Sequence, residues 1–206
     1  MRESDLQSGI LVKQYRISIF KEVFRKSIHL CSSFVPFFLS LAYKPVLIIL
    51  ASLLVLYTFT EFVRLKGKNV PLISKITSIA ARKRDENKFV LGPVTLVLGI
   101  ISAAVMWNSE AARIGIYALA FGDGTASLVG KLVGRVHIPF TQGKTAAGSL
   151  ACFYAVFISS FVVGQNVSVS LILAFVAMLV EVIPMTDFDN VVIPLVIGGL
   201  AQFLLF

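Results

Sequence analysis

The sequence predicts an all-α membrane protein, a polytopic helical bundle of about seven transmembrane helices preceded by an N-terminal amphipathic helix. Hydrophobic residues make up 57% of the 206 positions and charged residues only 15%, a balance that a soluble domain of this length could not hide in its core. Apolar runs approaching the roughly 20 residues needed to cross a bilayer recur between charges, Gly, Pro and turn residues. Seven runs are predicted as spans: 27–43, 45–65, 89–107, 111–134, 146–164, 167–184 and 191–206.

The first 26 residues are predicted to form a separate basic, amphipathic segment, followed by a single transmembrane domain over 27–206. Apolar positions such as Ile10 and Phe20 alternate with Lys13, Arg16 and Lys21, which is typical of a helix lying in the membrane interface. A solvated basic tail is the alternative. The segment has no clean apolar core ending in a small-residue cleavage site, so we expect it to be retained rather than cleaved as a signal peptide.

The distribution of Lys and Arg predicts the orientation in the membrane. Residues 1–26 carry six of them, 64–88 carry eight and 131–144 carry three, which is seventeen of the nineteen in the chain. Threading seven helices places these three segments on one side, and the positive-inside rule identifies that side as the cytoplasm. The turn at 185–190 falls on the same side.

The formal charge of +8 flanks the predicted spans and does not form a soluble basic module. We therefore expect no nucleic-acid partner. Anionic lipid headgroups and nucleotide phosphates are the better candidates. The sequence leaves the oligomeric state open, a homo-oligomer included.

Asp123 is the outstanding polar residue within a predicted span. It lies between Gly122 and Gly124, roughly halfway along the fourth apolar run. Glycines on both sides of an acid predict a broken or closely packed helix, and non-helical backbone at this depth is tolerated only where protein or water covers it. The carboxylate could hold a divalent cation. Alternatively, it is neutralised by a Lys or Arg in a tight helix contact.

The loop that follows carries candidate phosphate-binding residues. Gly143-Lys144-Thr145 opens an apolar helix and resembles the end of a P-loop, but the upstream glycine spacing is wrong and no strand precedes it. The free N–H groups of a helix amino terminus, a lysine and two hydroxyls still suit a phosphate. The alternative is that Thr145 only caps the helix and Lys144 lies among the headgroups.

Further charged residues lie on the predicted cytoplasmic side. Arg25 and His29 are four residues apart and Glu22 precedes Arg25 by three, so all three can share a helical face. Glu61 and Arg64 are three apart at the end of the second span. Each group alone is explained by anchoring at the interface, and only their predicted convergence on one face indicates a site.

Three acids fall within nine residues between the last two spans. Glu181 lies near the end of one predicted helix, and Asp187, Asp189 and Asn190 precede the next. Acids facing a basic loop could bind Mg²⁺ that bridges nucleotide phosphates, because Mg²⁺ prefers a few carboxylates plus water and substrate oxygens. Helix capping and ion pairing are the alternative.

Four motifs occur together in one known family. They are Arg-Lys-x-x-His at 25–29, Gly-Asp-Gly-Thr-Ala-Ser at 122–127, Lys-Thr-Ala-Ala-Gly-Ser at 144–149 and Asp-Asn-Val-Val-Ile-Pro at 189–194. Together, from about residue 20 to the end, they resemble the dolichol kinase, phytol kinase and CTP-dependent diacylglycerol kinase family, which is distantly similar to phosphatidate cytidylyltransferases. Polyprenol and phytol kinase-like sequences tend to have Glu where this chain has Ala147, so the match looks more like the diacylglycerol kinase branch and leaves the lipid acceptor open.

The resemblance implies a catalytic domain over 27–206 that transfers the terminal phosphate of CTP, or of another nucleoside triphosphate, to the hydroxyl of a membrane lipid. Phosphoryl transfer depends mostly on positioning and charge neutralisation, which implies Mg²⁺ as cofactor. The implied catalytic residues are Asp123, Lys144 and Asp189. The implied metal ligands are Asp123, Glu181, Asp187 and Asp189. The implied nucleotide contacts are Arg25, His29, Lys131, Arg135, Lys144, Thr145, Gly148, Ser149 and Asn190.

Two rival functions remain at the level of sequence. A cytidylyltransferase would make a CDP-lipid from phosphatidate, and it differs from a kinase in which phosphate of CTP reaches the lipid. A small ion-coupled transporter would use Asp123 to carry ions, but the predicted outer face has almost no polar residues to line a path.

Overall fold

The computed structural model describes residues 3–67, 77, 85 and 88–206, with side chains from residue 13 onward. Every regular element among these residues is a helix, apart from an isolated antiparallel bridge between His137 and Thr145. The predicted all-α class is therefore confirmed.

The helices have the following bounds in chain order. They are α1 (Glu3–Cys31), α2 (Val35–Leu41), α3 (Tyr43–Leu65), α4 (Gly92–Met106), α5 (Ser109–Tyr117), α6 (Gly124–Val133), α7 (Ala146–Gly164), α8 (Val167–Val182) and α9 (Asp189–Leu205). A 3₁₀ turn, Ser32–Phe34, joins α1 to α2, and a π-helical segment, Ala118–Asp123, joins α5 to α6.

The fourth predicted span contains the π-helical segment. The helical path is continuous from Ser109 to Val133, but its turns are π-helical from Ala118 to Asp123. π-helical turns inside α-helices are uncommon and occur frequently at functional sites. The break predicted from the two flanking glycines is thus a local widening of the helix, with no gap in the hydrogen-bonded backbone.

The first predicted span also differs from the structure. Helix α1 continues to Cys31, so the boundary predicted between residues 26 and 27 falls inside one helix. The predicted span over 27–43 consists of the end of α1, the 3₁₀ turn and the short helix α2. Pro36 occupies the start of α2, where its missing N–H costs nothing.

Two helices, α3 and α7, are long and apolar enough to cross a membrane. Helices α4, α8 and α9 are apolar but shorter, at 15, 16 and 17 residues. Helix α3 lies at the periphery, since only 11% of the residues in its 18-residue apolar stretch are buried. Its exposed side chains, including Ile48, Val55 and Phe59, form a large apolar surface of the kind that marks a membrane or protein contact.

Small residues let the central helices approach closely. A Cβ at Gly99 of α4 would lie 2.0 Å from the carbonyl oxygen of Asn190, and one at Gly115 of α5 would lie 2.4 Å from that of Pro194. Helix α9 therefore packs backbone to backbone against α4 and α5, as small residues permit at membrane helix interfaces. Buried side chains such as Leu173 and Ile197 fill the centre of the bundle.

Helix α4 connects two ends of the bundle with different chemistry. Its 15 residues span roughly 20 Å. At its last turn, Trp107 packs on Gly198 of α9, and the N–H of Asn108 donates to Oε1 of Gln202 at 2.9 Å. Its first turn lies near the start of α9, where most of the buried charged residues collect. We call this the polar end.

Candidate functional site

A cavity of about 520 Å³ opens at the polar end, and we call it the polar cavity. The end of α1, the junction of the π segment with α6, the loop before α7 and the turn after α8 form its walls. Four cations and four carboxylates lie in its lining, so the charges nearly cancel. They are Arg25, Lys26, Lys131 and Lys144, with Glu22, Asp123, Glu181 and Asp189.

Asp123 lies in the wall of this cavity and is only 1% exposed. The ammonium group of Lys26 donates a hydrogen bond to its Oδ2. Nδ1 of His29 lies 3.2 Å from the same oxygen, without the alignment of a hydrogen bond. The structure thus contains the ion pair that the sequence left open as an alternative, but it places this pair at a cavity and not in a sealed helix contact.

Lys26 is the site residue that the sequence analysis did not assign. Its neighbours Arg25 and His29 are predicted nucleotide contacts. Arg25 forms an ion pair with Glu22 at 2.6 Å and also lines the polar cavity. Positions 26 and 29 are three apart, which places both on one face of α1. A buried carboxylate needs a cation. The three-residue spacing from His29 was the feature of the sequence that indicated Lys26 as this cation.

Helix α1 is fixed to α6 by Lys131. Its ammonium group donates to the carbonyl oxygen of Ser18 at 2.8 Å and lies 3.7 Å from Glu22. Lys131, a predicted nucleotide contact, therefore lines the polar cavity and also joins the two helices that position Lys26 and Asp123.

Lys144 reaches the cavity from a hairpin-like loop. The N–H of Ile138 donates to the carbonyl oxygen of Lys144 at 2.9 Å, and the N–H of Ala146 donates to that of Val136 at 3.0 Å. Gly143 has φ +93°, in the left-handed region that glycine occupies without strain. This backbone fixes where the Lys144 side chain starts.

Lys144 pairs with Glu181 from the last turn of α8. Their Nζ and Oε1 atoms are 2.5 Å apart, and Oε2 of Glu181 is buried without a hydrogen-bond partner among the described residues. Burial alone would lower the pKa of Lys144, but the Glu181 carboxylate, helped by Asp123 and Asp189, raises it above its ordinary value. The cavity therefore holds a fully protonated lysine at neutral pH.

The amino terminus of α7 forms another wall. Thr145 is its N-cap, and its hydroxyl accepts a hydrogen bond from the N–H of Gly148 at 3.2 Å. A Cβ at Gly134 would lie 2.4 Å from Oγ1 of Thr145, and one at Gly148 would lie 2.6 Å from the carbonyl oxygen of Ala126. These glycines bring α6 against the first turn of α7. The predicted capping role of Thr145 is confirmed, while its phosphate contact stays a prediction.

A second, smaller cavity of about 40 Å³ adjoins the first. Arg25, Lys26 and Asp189 line both cavities. The predicted site residues His29, Asp187 and Asn190 line only the second. The amide of Asn190 donates to Oγ1 of Thr95 at 2.9 Å and to the carbonyl oxygen of Gly92 at 3.3 Å, so it also joins α9 to α4.

Glu61 and Arg64 lie on α3, outside the lining of these two cavities. Glu61 is fully buried and accepts from Arg64 and from the N–H of Val90 at 2.9 Å. Arg64 also donates to the carbonyl oxygen of Lys88 at 2.8 Å. This pair fixes the chain that leads into α4.

The remaining predicted residues lie beside the two cavities. Arg135 is exposed on the loop before α7 and lines neither cavity. Ser149 is buried in the first turn of α7, and its hydroxyl has no partner among the described residues. Most basic residues counted between 64 and 88 lie outside the described part of the chain.

The four predicted metal ligands do not form a metal site from protein side chains alone. Within the described residues, no three His, Cys, Asp or Glu side chains form a group that could hold an ion. Asp123, Glu181 and Asp189 do line one cavity, and Oε2 of Glu181 is an unused buried acceptor. This arrangement fits a Mg²⁺ that takes one or two carboxylates and completes its shell with phosphate oxygens and water.

Chemically, the polar cavity combines the groups that phosphoryl transfer uses. Lysines offer charge-assisted hydrogen bonds to phosphate oxygens. The first turn of α7 adds backbone N–H groups and the positive end of a helix dipole. The carboxylates supply ligands for a divalent cation.

Several curated proteins resemble this chain in sequence. The chloroplastic farnesol kinase of Arabidopsis thaliana is 30% identical over 142 residues, which covers 61% of this chain and 46% of that protein. Probable phytol kinase 1, chloroplastic, of Glycine max is 32% identical over 154 residues, covering 64% and 48% respectively. An uncharacterised protein of Methanocaldococcus jannaschii is 26% identical over 181 residues, covering 86% and 91%.

No protein-family model matches the chain, and no solved structure matches it. The chain spans about half the length of the plant kinases that it matches. At about 30% identity, this all-helical chain is therefore similar to part of proteins named farnesol kinase and phytol kinase.

Proposed function

We propose that the protein is a membrane-embedded lipid-alcohol kinase, which transfers the terminal phosphate of a nucleoside triphosphate to the hydroxyl of a lipid alcohol. The polar cavity carries this proposal, because it places two lysine–carboxylate pairs, one buried and one partly buried, and the amino terminus of α7 around one space of about 520 Å³. The relatives named farnesol and phytol kinase support the same reaction class.

The proposed acceptor is an isoprenoid alcohol. Farnesol and phytol, which appear in the relatives' names, are alcohols of this class. Ala147 favours the diacylglycerol branch in the sequence analysis, but it is one position in the first turn of α7. Diacylglycerol and longer polyprenols therefore belong in the same acceptor assay as farnesol and phytol.

The proposed donor is CTP, bound with Mg²⁺. The charges in the polar cavity nearly cancel, so the several negative charges of a triphosphate would have to arrive with a cation of their own. Asp123, Glu181 and Asp189 would hold Mg²⁺ together with the phosphate oxygens. When bound, the ion would neutralise the charge that develops as the phosphoryl group moves.

The lysines have two proposed roles, one before and one after the nucleotide binds. Without substrate, Lys26 and Lys144 neutralise Asp123 and Glu181, which keeps buried carboxylates paired. With nucleotide present, both ammonium groups would turn to phosphate oxygens, while the N–H groups of the first turn of α7 hold the terminal phosphate. Lys131 on α6 and Arg25 on α1 would contribute longer-range attraction.

In the membrane, the proposed arrangement is a seven-span bundle with the polar end toward the cytoplasm. It rests on the charge distribution of the loops and on the apolar helices described above. Anionic lipid headgroups would surround the basic loops, and a homo-oligomer is compatible with the exposed apolar surface of α3.

The test measures phosphate transfer to a panel of lipid alcohols by the full chain in nanodiscs with Mg²⁺. CTP and ATP labelled at the terminal phosphate should label farnesol or phytol, whereas transfer of label from the alpha phosphate of CTP to phosphatidate would indicate a cytidylyltransferase. Asp123→Asn should lower the rate by at least about a hundredfold, as expected when a transition-state charge partner is lost.

Glu110→Gln is the matched control for the Asp123 variant. Glu110 pairs with Arg113 at 3.3 Å in the first turn of α5, roughly 20 Å along the helix from Asp123, and its loss should leave the rate within about twofold. Gel filtration and thermal unfolding would show whether each variant is folded. Normal turnover by a folded Asp123→Asn variant would show that Asp123 has no part in catalysis, and it would contradict the proposal.

A further inference from the structure

The smaller cavity has a different character from the polar cavity beside it. Its buried apolar walls are Val90 and Leu96, which are 4% and 5% exposed, together with Pro93. Charged and polar residues also line it: Arg25, Lys26, His29, Asp85, Asp187, Asp189 and Asn190. A small space that combines an apolar wall with polar groups suits a ligand that carries one hydroxyl on a hydrocarbon chain.

One lining residue connects this cavity to the outer surface of α1. Ile28 lines the cavity and is 36% exposed, whereas its neighbour His29 is 6% exposed. Exposed apolar residues follow in the 3₁₀ turn and in α2, including Phe34 and Phe38. A hydrocarbon chain could therefore leave the cavity past Ile28 and remain in the apolar part of the membrane.

The size of the cavity limits what can enter. About 40 Å³ is room for roughly three water-sized groups, which is enough for a terminal CH₂–OH and the next carbon. An isoprenoid alcohol such as farnesol presents such an end, because its first methyl branch is on the third carbon. Diacylglycerol presents its hydroxymethyl group on a carbon that also carries an ester, and this branch needs more room than about 40 Å³.

We propose that this smaller cavity is the acceptor subsite, binding the hydroxyl end of an isoprenoid alcohol, whose first two carbons carry no branch, and that the alcohol enters past Ile28. The proposal rests on the proposed kinase function and adds where the acceptor binds and what sets its shape. Lys26 and Asp189 line both cavities, so the acceptor hydroxyl and the terminal phosphate meet at these two residues.

The transfer at this junction forms one bond and breaks one bond. The hydroxyl oxygen forms a bond to the terminal phosphorus, the bond from that phosphorus to the bridging oxygen breaks, and its electron pair leaves with the nucleoside diphosphate. The hydroxyl proton passes to water in the polar cavity. The lipid leaves as its monophosphate.

Photolabelling gives a direct test of the subsite. A farnesol analogue with a photoreactive group on its first isoprene unit is irradiated with the full chain in nanodiscs, and labelled residues are mapped by mass spectrometry. Label that unmodified farnesol displaces should fall on Ile28 or on residues 90–96. Label confined to another surface, or label that farnesol does not displace, overturns the subsite.

A variant at the opening tests the same point by kinetics. Ile28→Trp should raise KM for farnesol by about tenfold or more by obstructing the entrance, while binding of CTP with Mg²⁺ is unchanged. Val23→Trp is the matched control, since Val23 is 44% exposed on the same helix and lines neither cavity. Its KM for farnesol should stay within about twofold of that of the native chain.

The outcomes separate this proposal from the kinase function. If farnesol is phosphorylated but Ile28→Trp behaves like Val23→Trp, the kinase stands and the subsite is wrong. If displaceable label falls at Ile28 but no lipid alcohol is phosphorylated, the chain binds the alcohol there and the kinase proposal fails. Faster turnover of diacylglycerol than of farnesol would contradict the shape argument.

Discussion

At the scale of single residues, two ion pairs with buried carboxylates define the polar end. Lys26 with Asp123 and Lys144 with Glu181 each join a lysine to a carboxylate that is at most 2% exposed. The net stabilisation from such a pair is small, because desolvation offsets most of the attraction, but removing one partner leaves a buried charge alone. The two pairs therefore constrain mutation at the site strongly.

Lys26→Met should destabilise the protein by about 3–5 kcal/mol, because Asp123 would remain buried without its cation. The double variant Lys26→Met with Asp123→Leu should recover most of that loss. Thermal and denaturant unfolding in micelles would measure both, arranged as a double-mutant cycle.

Lys13→Met is the control for this cycle, because Lys13 is exposed on the same helix. It should change the free energy of unfolding by no more than about 0.5 kcal/mol. Equal destabilisation of the single and double Lys26 variants would show that the two residues are not coupled.

The Lys144–Glu181 pair predicts a stability that is insensitive to moderately alkaline pH. A lysine whose pKa is raised by folding contributes stability that is fully present below its ordinary pKa and is lost as pH rises through the raised value. The coupling energy from a cycle of Lys144→Met and Glu181→Gln should therefore be equal at about pH 7 and pH 9. A clear fall at pH 9 would mean that Lys144 loses its proton early, against the raised pKa.

At the scale of elements, the first turn of α7 depends on glycines from two helices. Gly148 packs directly on the backbone of Ala126 in α6, and Gly134 faces the hydroxyl of Thr145. A sequence pattern shows that glycine recurs here but not which helix each glycine faces. The contact between α6 and α7 places Lys144 beside Asp123.

Gly148→Ala should destabilise the protein by about 1–3 kcal/mol through overpacking, because the new Cβ would lie 2.6 Å from the carbonyl oxygen of Ala126. Binding of CTP with Mg²⁺ should weaken in parallel. Gly92→Ala offers a matched comparison of stability, since its Cβ would meet only Oδ1 of Asp187 at 4.0 Å. Similar unfolding temperatures for both variants would show that α6 and α7 do not pack as described.

At the scale of the whole molecule, the loops at the two ends of α7 test the proposed topology. The helix has 19 residues, a length of roughly 28 Å, close to the thickness of a bilayer core. Gln142 precedes it and Gln165 follows it. Both are exposed, and both have positive φ, at 54° and 52°, so the same substitution strains them equally.

Gln142→Cys and Gln165→Cys, each in a Cys31→Ser background, should react with a membrane-impermeant thiol reagent from opposite sides. Gln142→Cys should be labelled from the cytoplasmic side, in inside-out vesicles, and Gln165→Cys from the other, in right-side-out vesicles. Labelling of both from one side would mean that α7 does not cross the membrane, and the seven-span arrangement would be wrong.

The sequence by itself determined the helical class and the approximate bounds of the apolar helices, and it singled out Asp123 as a candidate site residue. These features depend on local composition, and a carboxylate between two glycines in an apolar run is unusual wherever the chain places it. The family resemblance pointed to the kinase class that the relatives' names also indicate.

Only the tertiary structure decided which charges meet. Lys26 and Asp123 are 97 residues apart, and Lys144 and Glu181 are 37 apart, so no local pattern could pair them. The separation into a polar and a smaller, more apolar cavity also follows from how α1, α4 and α9 pack. Partners of buried charges are set by helix contacts between distant segments, whereas the need for a partner is already present in the residue.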